Sequence, residues 1–329
     1  MRFVKTTSAG TAGGAGGVVP PGGTAGGSGG APSVAPPGGA AGKVDIGAAR
    51  RLAVEAAEEA GDLLRDSPRG DIGVQSKGAS GDVVTDLDLA SERLIVSRIR
   101  DSFPGHQIIA EEAGVLGAGD GTCTWLVDPL DGTNNVAIGL QAYVVGIALC
   151  VDRLPVLGVV HDPVTRQTWS AVRGSGASGP AGTPLRPPYR PATHGPVVAW
   201  TQGHSVPRDD ATARALKVVL DGTARRVLRL WAPLLGWVML ARGVIDGIVA
   251  YQAGEVDLPA GALIAAEAGV SILRLDGTRF DERIGLSPDD RSFVAGRPQV
   301  MDRLLGLVKS ARRLEEGCGE VWAAGPRDW

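Results

Sequence analysis

An α/β or α+β fold of layered helices and mixed strands is predicted by three features of the chain. Alanine- and leucine-rich amphipathic segments alternate with apolar runs of strand length. Three such runs in the first half are joined by short polar turns, the pattern of an antiparallel meander. In the second half the runs alternate with helical segments, as in a sheet covered by helices.

Taken in order, residues 1–42 hold fourteen glycines, recurrent proline, no acidic residue and no periodic apolar pattern. They cannot bury enough surface to offset the entropy of ordering them, so they are expected to be a disordered tail, or translation assigned upstream of the true start. The folded region is expected from Lys43 to Arg313. A helix is predicted over 46–65, with Leu52, Ala56, Ala60 and Leu63 along one face, followed by a loop holding Lys77. A second helix starts near Asp86 and buries Leu87, Ala90, Leu94 and Ile95. Residues 107–110 and 124–127 read as short strands, each ending in carboxylates. The meander occupies 143–151, 155–161 and 168–172, with turns at Asp152-Arg153 and Asp162-Pro163. A Gly/Pro-rich loop over 174–191 divides an N-terminal subdomain, 43–190, from a C-terminal one, 191–313. The latter predicts strands at 197–201, 247–251 and 292–296 and helices at 211–220, 234–242, 257–268 and 299–313. Residues 314–329 read as a loose tail.

Composition narrows the function classes. A net charge of −3 advertises no basic face, which argues against nucleic-acid and anionic-membrane partners. No apolar stretch reaches the ~18 residues of a membrane span. Cys123, Cys150 and Cys318 show no metal spacing and cannot all pair, which fits a reduced, cytoplasmic setting. The Met1 segment lacks the hydrophobic run of a secretory signal.

The most informative run is Trp125-Leu126-Val127-Asp128-Pro129-Leu130-Asp131-Gly132-Thr133. An apolar strand would deliver two carboxylates to one sheet edge, Pro129 would stop it, and Gly132 would let the chain turn back. Such crowding of oxygen ligands is costly unless a hard divalent cation sits among them. Three further acidic groups each have a plain alternative. Asp82 to Asp88 can be a helix start with Thr85 capping and Asp88 closing a capping box. Glu111-Glu112 can be a solvated turn, and Asp257 an N-cap before Pro259. Two decoys fail. The GxGxxG at 174–179 runs into prolines where a helix must begin, and His106, His161, His194 and His204 lack zinc-site spacing.

Together the four acidic groups resemble the motifs of the inositol monophosphatase family of Mg²⁺-dependent, lithium-sensitive-type phosphomonoesterases. The matching residues are Asp82-Val83-Val84-Thr85-Asp86-Leu87-Asp88, Ala110-Glu111-Glu112, Trp125 through Asn135, and Val256 through Gly261 with Glu267-Ala268-Gly269-Val270. The resemblance implies a layered αβαβα sandwich of the inositol monophosphatase and fructose-1,6-bisphosphatase type, two or three Mg²⁺ ions and a homodimer. It implies that Glu111, Asp128 and the Leu130 carbonyl hold one ion. Asp128, Asp131 and Asp257 would hold a second, and Glu111 would help with a third. Thr133, backed by Asp88, would orient and deprotonate the attacking water. The amides of Gly132 and Thr133 would hold phosphate, with Lys77 beside the site. The substrate implied is a small phosphorylated metabolite. Departures fall on the pocket wall, at Gln252 and at Trp231-Ala232-Pro233, so cyclitol, sugar, nucleoside and histidinol phosphates all stay open. Two rivals remain: a haloacid-dehalogenase-like phosphatase using Asp86 as nucleophile, and a non-catalytic binding protein on the same fold.

Overall fold

A computed structural model describes residues 44–67, 73–77, 82–117, 119–186 and 195–323, with side chains to 317. The tail expected over 1–42 lies outside the described residues, as do His194, the Cys318 side chain and part of the 174–191 loop. The chain runs α1 (Ile46–Asp66), β1 (Gln75–Ser76), β2 (Val83–Val84), α2 (Asp86–Ser102), β3 (Gln107–Ala110), β4 (Gly114–Leu116), β5 (Cys123–Asp131) and α3 (Thr133–Ala137). Then follow β6 (Val144–Val151), β7 (Leu154–Asp162), β8 (Gln167–Val172), β9 (Gly176–Ser178), β10 (Val197–Gln202), α4 (Ala211–Thr223) and β11 (Arg226–Leu228). The last elements are α5 (Pro233–Ala241), β12 (Gly247–Tyr251), α6 (Pro259–Glu267), β13 (Ser271–Arg274), β14 (Phe293–Gly296) and α7 (Pro298–Ala323). The closing helix thus continues ten residues beyond Arg313, where a loose tail was expected. Its heptad-spaced apolar residues, among them Leu304, Val308 and Ala311, pack against the second sheet and α4.

Two sheets carry the fold. The first has the order β4-β3-β5-β6-β7-β8-β9, and the second β11-β10-β12-β14-β13. The predicted meander is the antiparallel run from β6 to β8. Side-chain alternation along the strands sorts residues into layers. Trp125 and Val127 of β5 pack with Ile147 and Leu149 of β6 against α1 and α2. Leu126 and Ala148 point the other way, onto α5 and α6, which also cover Ile248 and Phe293 of the second sheet. The far face of that sheet, with Val198, Val249 and Val294, packs on α4 and α7. Three cores therefore hold five layers together, the middle one covering both faces of the α5–α6 layer, and the αβαβα sandwich is the observed architecture. Among the described residues no helix is long and apolar enough to cross a membrane.

Two helix faces differ from expectation. The inward face of α1 is formed by Ala49, Ala53, Ala56, Ala57, Ala60 and Leu64, with Leu52 and Leu63 on its margin. Small residues let the helix approach the sheet closely. In α2 the buried set is Asp88, Ser91, Glu92, Ile95, Val96 and Ile99, so its N-terminal half turns polar groups inward. Leu87, Ala90 and Leu94 are only partly buried.

Candidate active site

The site is built from the end of β5. Here the structure departs from the sequence expectation: β5 is an interior strand between β3 and β6, and Pro129 does not stop it. Asp128 pairs with Gly146 and Asp131 with Val144, so three steps on β5 match two on β6. That extra residue is a β-bulge at the proline, whose missing N–H fits an interrupted ladder. In a regular strand, residues three apart face opposite sides. One inserted residue changes the parity and lets Asp128 and Asp131 share a side.

Gly132 then takes φ 112 and turns the chain into α3. A Cβ there would lie 2.7 Å from the Ala142 carbonyl oxygen, so both conformation and space demand glycine. The turn places Thr133 with its hydroxyl 2.6 Å from Asp88 Oδ1 and 3.0 Å from the Leu130 carbonyl. A single hydroxyl proton goes to the shorter contact with the carboxylate. Asp88 is wholly buried, and its other oxygen accepts the Thr85 N–H at 2.8 Å and the Thr85 hydroxyl at 2.5 Å. The capping box and the partnership with Thr133 are therefore one arrangement. Burial pushes the Asp88 carboxyl up, against the pull of its Thr133 and Thr85 hydrogen bonds.

Glu111 and Glu112 follow β3. Lys77 donates to both, at 3.0 Å and 2.5 Å. Burial penalises the ammonium, but the two glutamates hold the amine above its usual range. Burial raises Glu112 to about 7 against the pull of Lys77. Asp257 precedes α6 and packs against Gly254, where a Cβ would sit 2.5 Å from its carboxylate. Asp131 accepts the Leu234 N–H at 2.7 Å, which joins β5 to the start of α5.

Four carboxylates thus influence one another. Burial first, then Glu111, Asp131 and Asp257, raise Asp128 well above the usual carboxylate range. Asp131 is raised by burial and Asp257, against the Leu234 amide. Glu111 is raised by burial and Asp257, against Lys77. Asp257 is raised by burial and opposed by His204. So much negative charge in a partly buried space calls for a cation. The donors are all oxygen, which fits a hard ion such as Mg²⁺ rather than zinc. Among the described residues no three His, Cys, Asp or Glu side chains form a ready-made metal cage. The fit rests on the donor chemistry and the mutual repulsion, with Lys77 drawing Glu111 and the Leu234 amide drawing Asp131.

Several positioning residues escaped sequence reasoning. Ser91 donates to the Pro129 carbonyl at 2.8 Å and holds the bulge. Glu92 accepts from the Glu112 and Ala113 amides at 2.8 and 3.0 Å and fixes the turn after β3. Their only sequence signal is polar residues on the inward face of α2. Asn135 donates to the carbonyls of Ala142, at 2.6 Å, and Leu230. His204, set aside as a zinc ligand, stands 4.0 Å from Asp82, which Asn134 also reaches. On the expected pocket wall, Trp231 and Gln252 both adopt left-handed backbone, φ 48 and 50. Gln252 spends its amide on Asp289 at 2.9 Å, whereas Trp231 is 61% exposed. Asp86 is exposed at the first turn of α2, after a two-residue strand that, among the described residues, pairs with β1 alone. Among the described residues no parallel strand lies beside it to serve as a nucleophile platform.

Comparison with known proteins covers the same stretch of chain. The model of the inositol monophosphatase family matches residues 48–313. The chain is 30% identical to a protein named Nus factor SuhB from Haemophilus influenzae, over 78% of this chain and 94% of that one. It is 32% identical to inositol monophosphatase 2 of Solanum lycopersicum, over 70% and 88%. The crystal structure of the extragenic suppressor protein suhB from Bartonella henselae superposes with a TM-score of 0.71 at 25% identity, covering 80% of this chain and 98% of that one.

Proposed function

This chain belongs to the inositol monophosphatase family and is a phosphoric monoester hydrolase, and from that premise we propose that it hydrolyses a small phosphate monoester with water as nucleophile and two or three Mg²⁺ ions. The observation that carries the reading is the Thr133–Asp88 pair standing beside four clustered carboxylates. Glu111, Asp128, Asp131, Asp257 and the Leu130 carbonyl are the groups that would hold the ions. When bound, Mg²⁺ offsets the charge of the ester dianion and acidifies water.

The protein's own groups do the rest. Thr133 commits its proton to Asp88, so its oxygen lone pairs are left to accept a proton from water. Asp88 takes up that proton through the hydroxyl. The amides of Gly132 and Thr133, at the first turn of α3, lack intrahelical acceptors and suit a phosphate oxygen. Lys77 holds Glu111 and Glu112 in place. Attack by water needs no phosphoenzyme, which sets this mechanism apart from an aspartyl-phosphate route through Asp86. The active form is a cytoplasmic homodimer in this reading.

Relatives named Nus factors support a second reading, in which the fold also serves a non-catalytic role. Hydrolysis of a panel of cyclitol, sugar, nucleoside and amino-alcohol phosphates, with and without Mg²⁺, separates the two. Asp128→Asn should lose at least ~10²-fold in kcat, as when a charge-stabilising group is removed. Near-full activity in that variant sinks the metal assignment. Wild-type protein inert on the whole panel favours the non-catalytic reading.

A further inference from the structure

Trp231 combines three properties that ordinary packing does not produce. Its backbone sits at φ 48, a region a bulky residue rarely adopts. Its side chain is 61% exposed. Yet the backbone on either side is held firmly to the catalytic loop: the Leu230 carbonyl accepts from Asn135, and the Leu234 amide donates to Asp131 at 2.7 Å. Strain kept in place by tethers to a reactive site points to function.

The surroundings say what kind. Asn135 also donates to the Ala142 carbonyl at 2.6 Å, so one side chain clamps the 138–142 loop beside the 230–231 segment. That loop carries Ile138, 67% exposed, and Leu140, 48% exposed. Three large exposed apolar side chains therefore stand on segments tethered to a centre whose inner groups are carboxylates, a hydroxyl and amides. The polar centre suits the phosphate and the apolar lip suits what the phosphate is attached to.

We propose that Trp231 is a stacking platform for the leaving group, and that the preferred substrate is a phosphate monoester whose alcohol carries a planar aromatic or heteroaromatic ring. The inference rests on the phosphatase reading and narrows it from any small monoester to this class. Ring stacking on an indole is worth roughly a tenfold gain in affinity or more.

The test uses matched esters that differ only in the ring: adenylate against ribose phosphate, and phenylpropyl phosphate against propyl phosphate. Wild-type protein with Mg²⁺ should show kcat/KM roughly tenfold higher for the ring-bearing member, carried by KM. Trp231→Gly should bring kcat/KM for the ring-bearing ester down to that of its ringless counterpart measured in the same variant, while Trp231→Phe keeps most of the ratio. Glycine adopts this φ without strain, so the variant is expected to fold, and its urea midpoint verifies this. Calorimetric titration with phenylpropyl and propyl phosphonate, which are not hydrolysed, reads the same preference as binding. Esters hydrolysed with no ring preference, or a preference that survives in Trp231→Gly, overturn the stacking role alone. Hydrolysis of none of the four overturns it together with the phosphatase reading.

Discussion

Replacing Asp88 by Asn separates catalysis from stability more cleanly than any other change in the site. The carboxylate accepts from the Thr85 amide at 2.8 Å, the Thr85 hydroxyl at 2.5 Å and the Thr133 hydroxyl at 2.6 Å. An asparagine oxygen in place of Oδ2 keeps both Thr85 bonds, weakened by about 1 kcal/mol each as they lose charge assistance. The new NH₂ faces Thr133, whose proton must swing to the Leu130 carbonyl at 3.0 Å. Against these losses, burial outweighs the hydrogen bonds in setting Asp88's ionisation, so removing the charge returns a comparable amount. Stability should therefore change by no more than about 1 kcal/mol, read from urea unfolding of both proteins. The Thr133 oxygen, turned round, no longer hands a proton to a base, and kcat for phosphate release should fall by roughly 10²–10⁴. Adding Thr133→Ala to Asp88→Asn should cost little more, because the two act as a unit. A kcat within a few-fold of wild type would refute the proton route. Loss of more than about 3 kcal/mol would refute the hydrogen-bond rearrangement.

Four further outcomes are expected. Gly132→Ala combines backbone strain with a contact 2.7 Å from the Ala142 carbonyl, and should cost about 1–3 kcal/mol in urea unfolding; an unchanged midpoint would contradict the turn. Glu92→Ala leaves the Glu112 and Ala113 amides without their acceptors, at about 1–3 kcal/mol, and Glu92→Gln should recover part of it. Saturating Mg²⁺ should stabilise the protein by about 2.7 kcal/mol at a hundred times its dissociation constant, and Asp131→Asn should shrink that gain. His161 is packed against Gly61 and hydrogen-bonded to Thr168 at 2.9 Å, and burial holds its imidazole below the usual range against Glu58, Asp162 and Asp62. A base with a lowered folded pKa is protonated first in the unfolded chain, so stability is retained above pH ~6.5 and lost as pH falls below it. The difference in urea midpoint between wild type and His161→Gln should shrink across that window, and a constant difference would sink the idea.

Most elements were legible because their signals are local. Periodic apolar runs located α1 and the meander strands to within a residue, and the starts of α2, α4 and α7 as closely. The short strands β1, β2, β4, β9, β11 and β13 escaped because two to four residues carry no period. The length of α7 escaped because a polar, charged helix end looks like a tail until the sheet and α4 beneath it are known. Asp88, Glu111, Asp128, Asp131, Thr133 and Asp257 were nameable from ordered motifs. Ser91 and Glu92 were not, and Asn135 closed a motif without a role of its own, since a polar residue on a helix looks the same whether it faces water or a buried carbonyl.

By itself, the sequence determined the order of acids, glycines and apolar runs, and with them the layered fold and the chemistry of the donor set. Both follow from covalent facts: which residues carry carboxylates, and how side chains repeat along a helix or a strand. Only the tertiary structure decided that Asp128 and Asp131 share a side, because that depends on a one-residue bulge set by the register of β5 against β6. It alone joined Asp88 to Thr133 across forty-five residues, and it alone left Trp231 strained and exposed between two tethers. Those are properties of contacts between distant segments, which local spacing cannot encode.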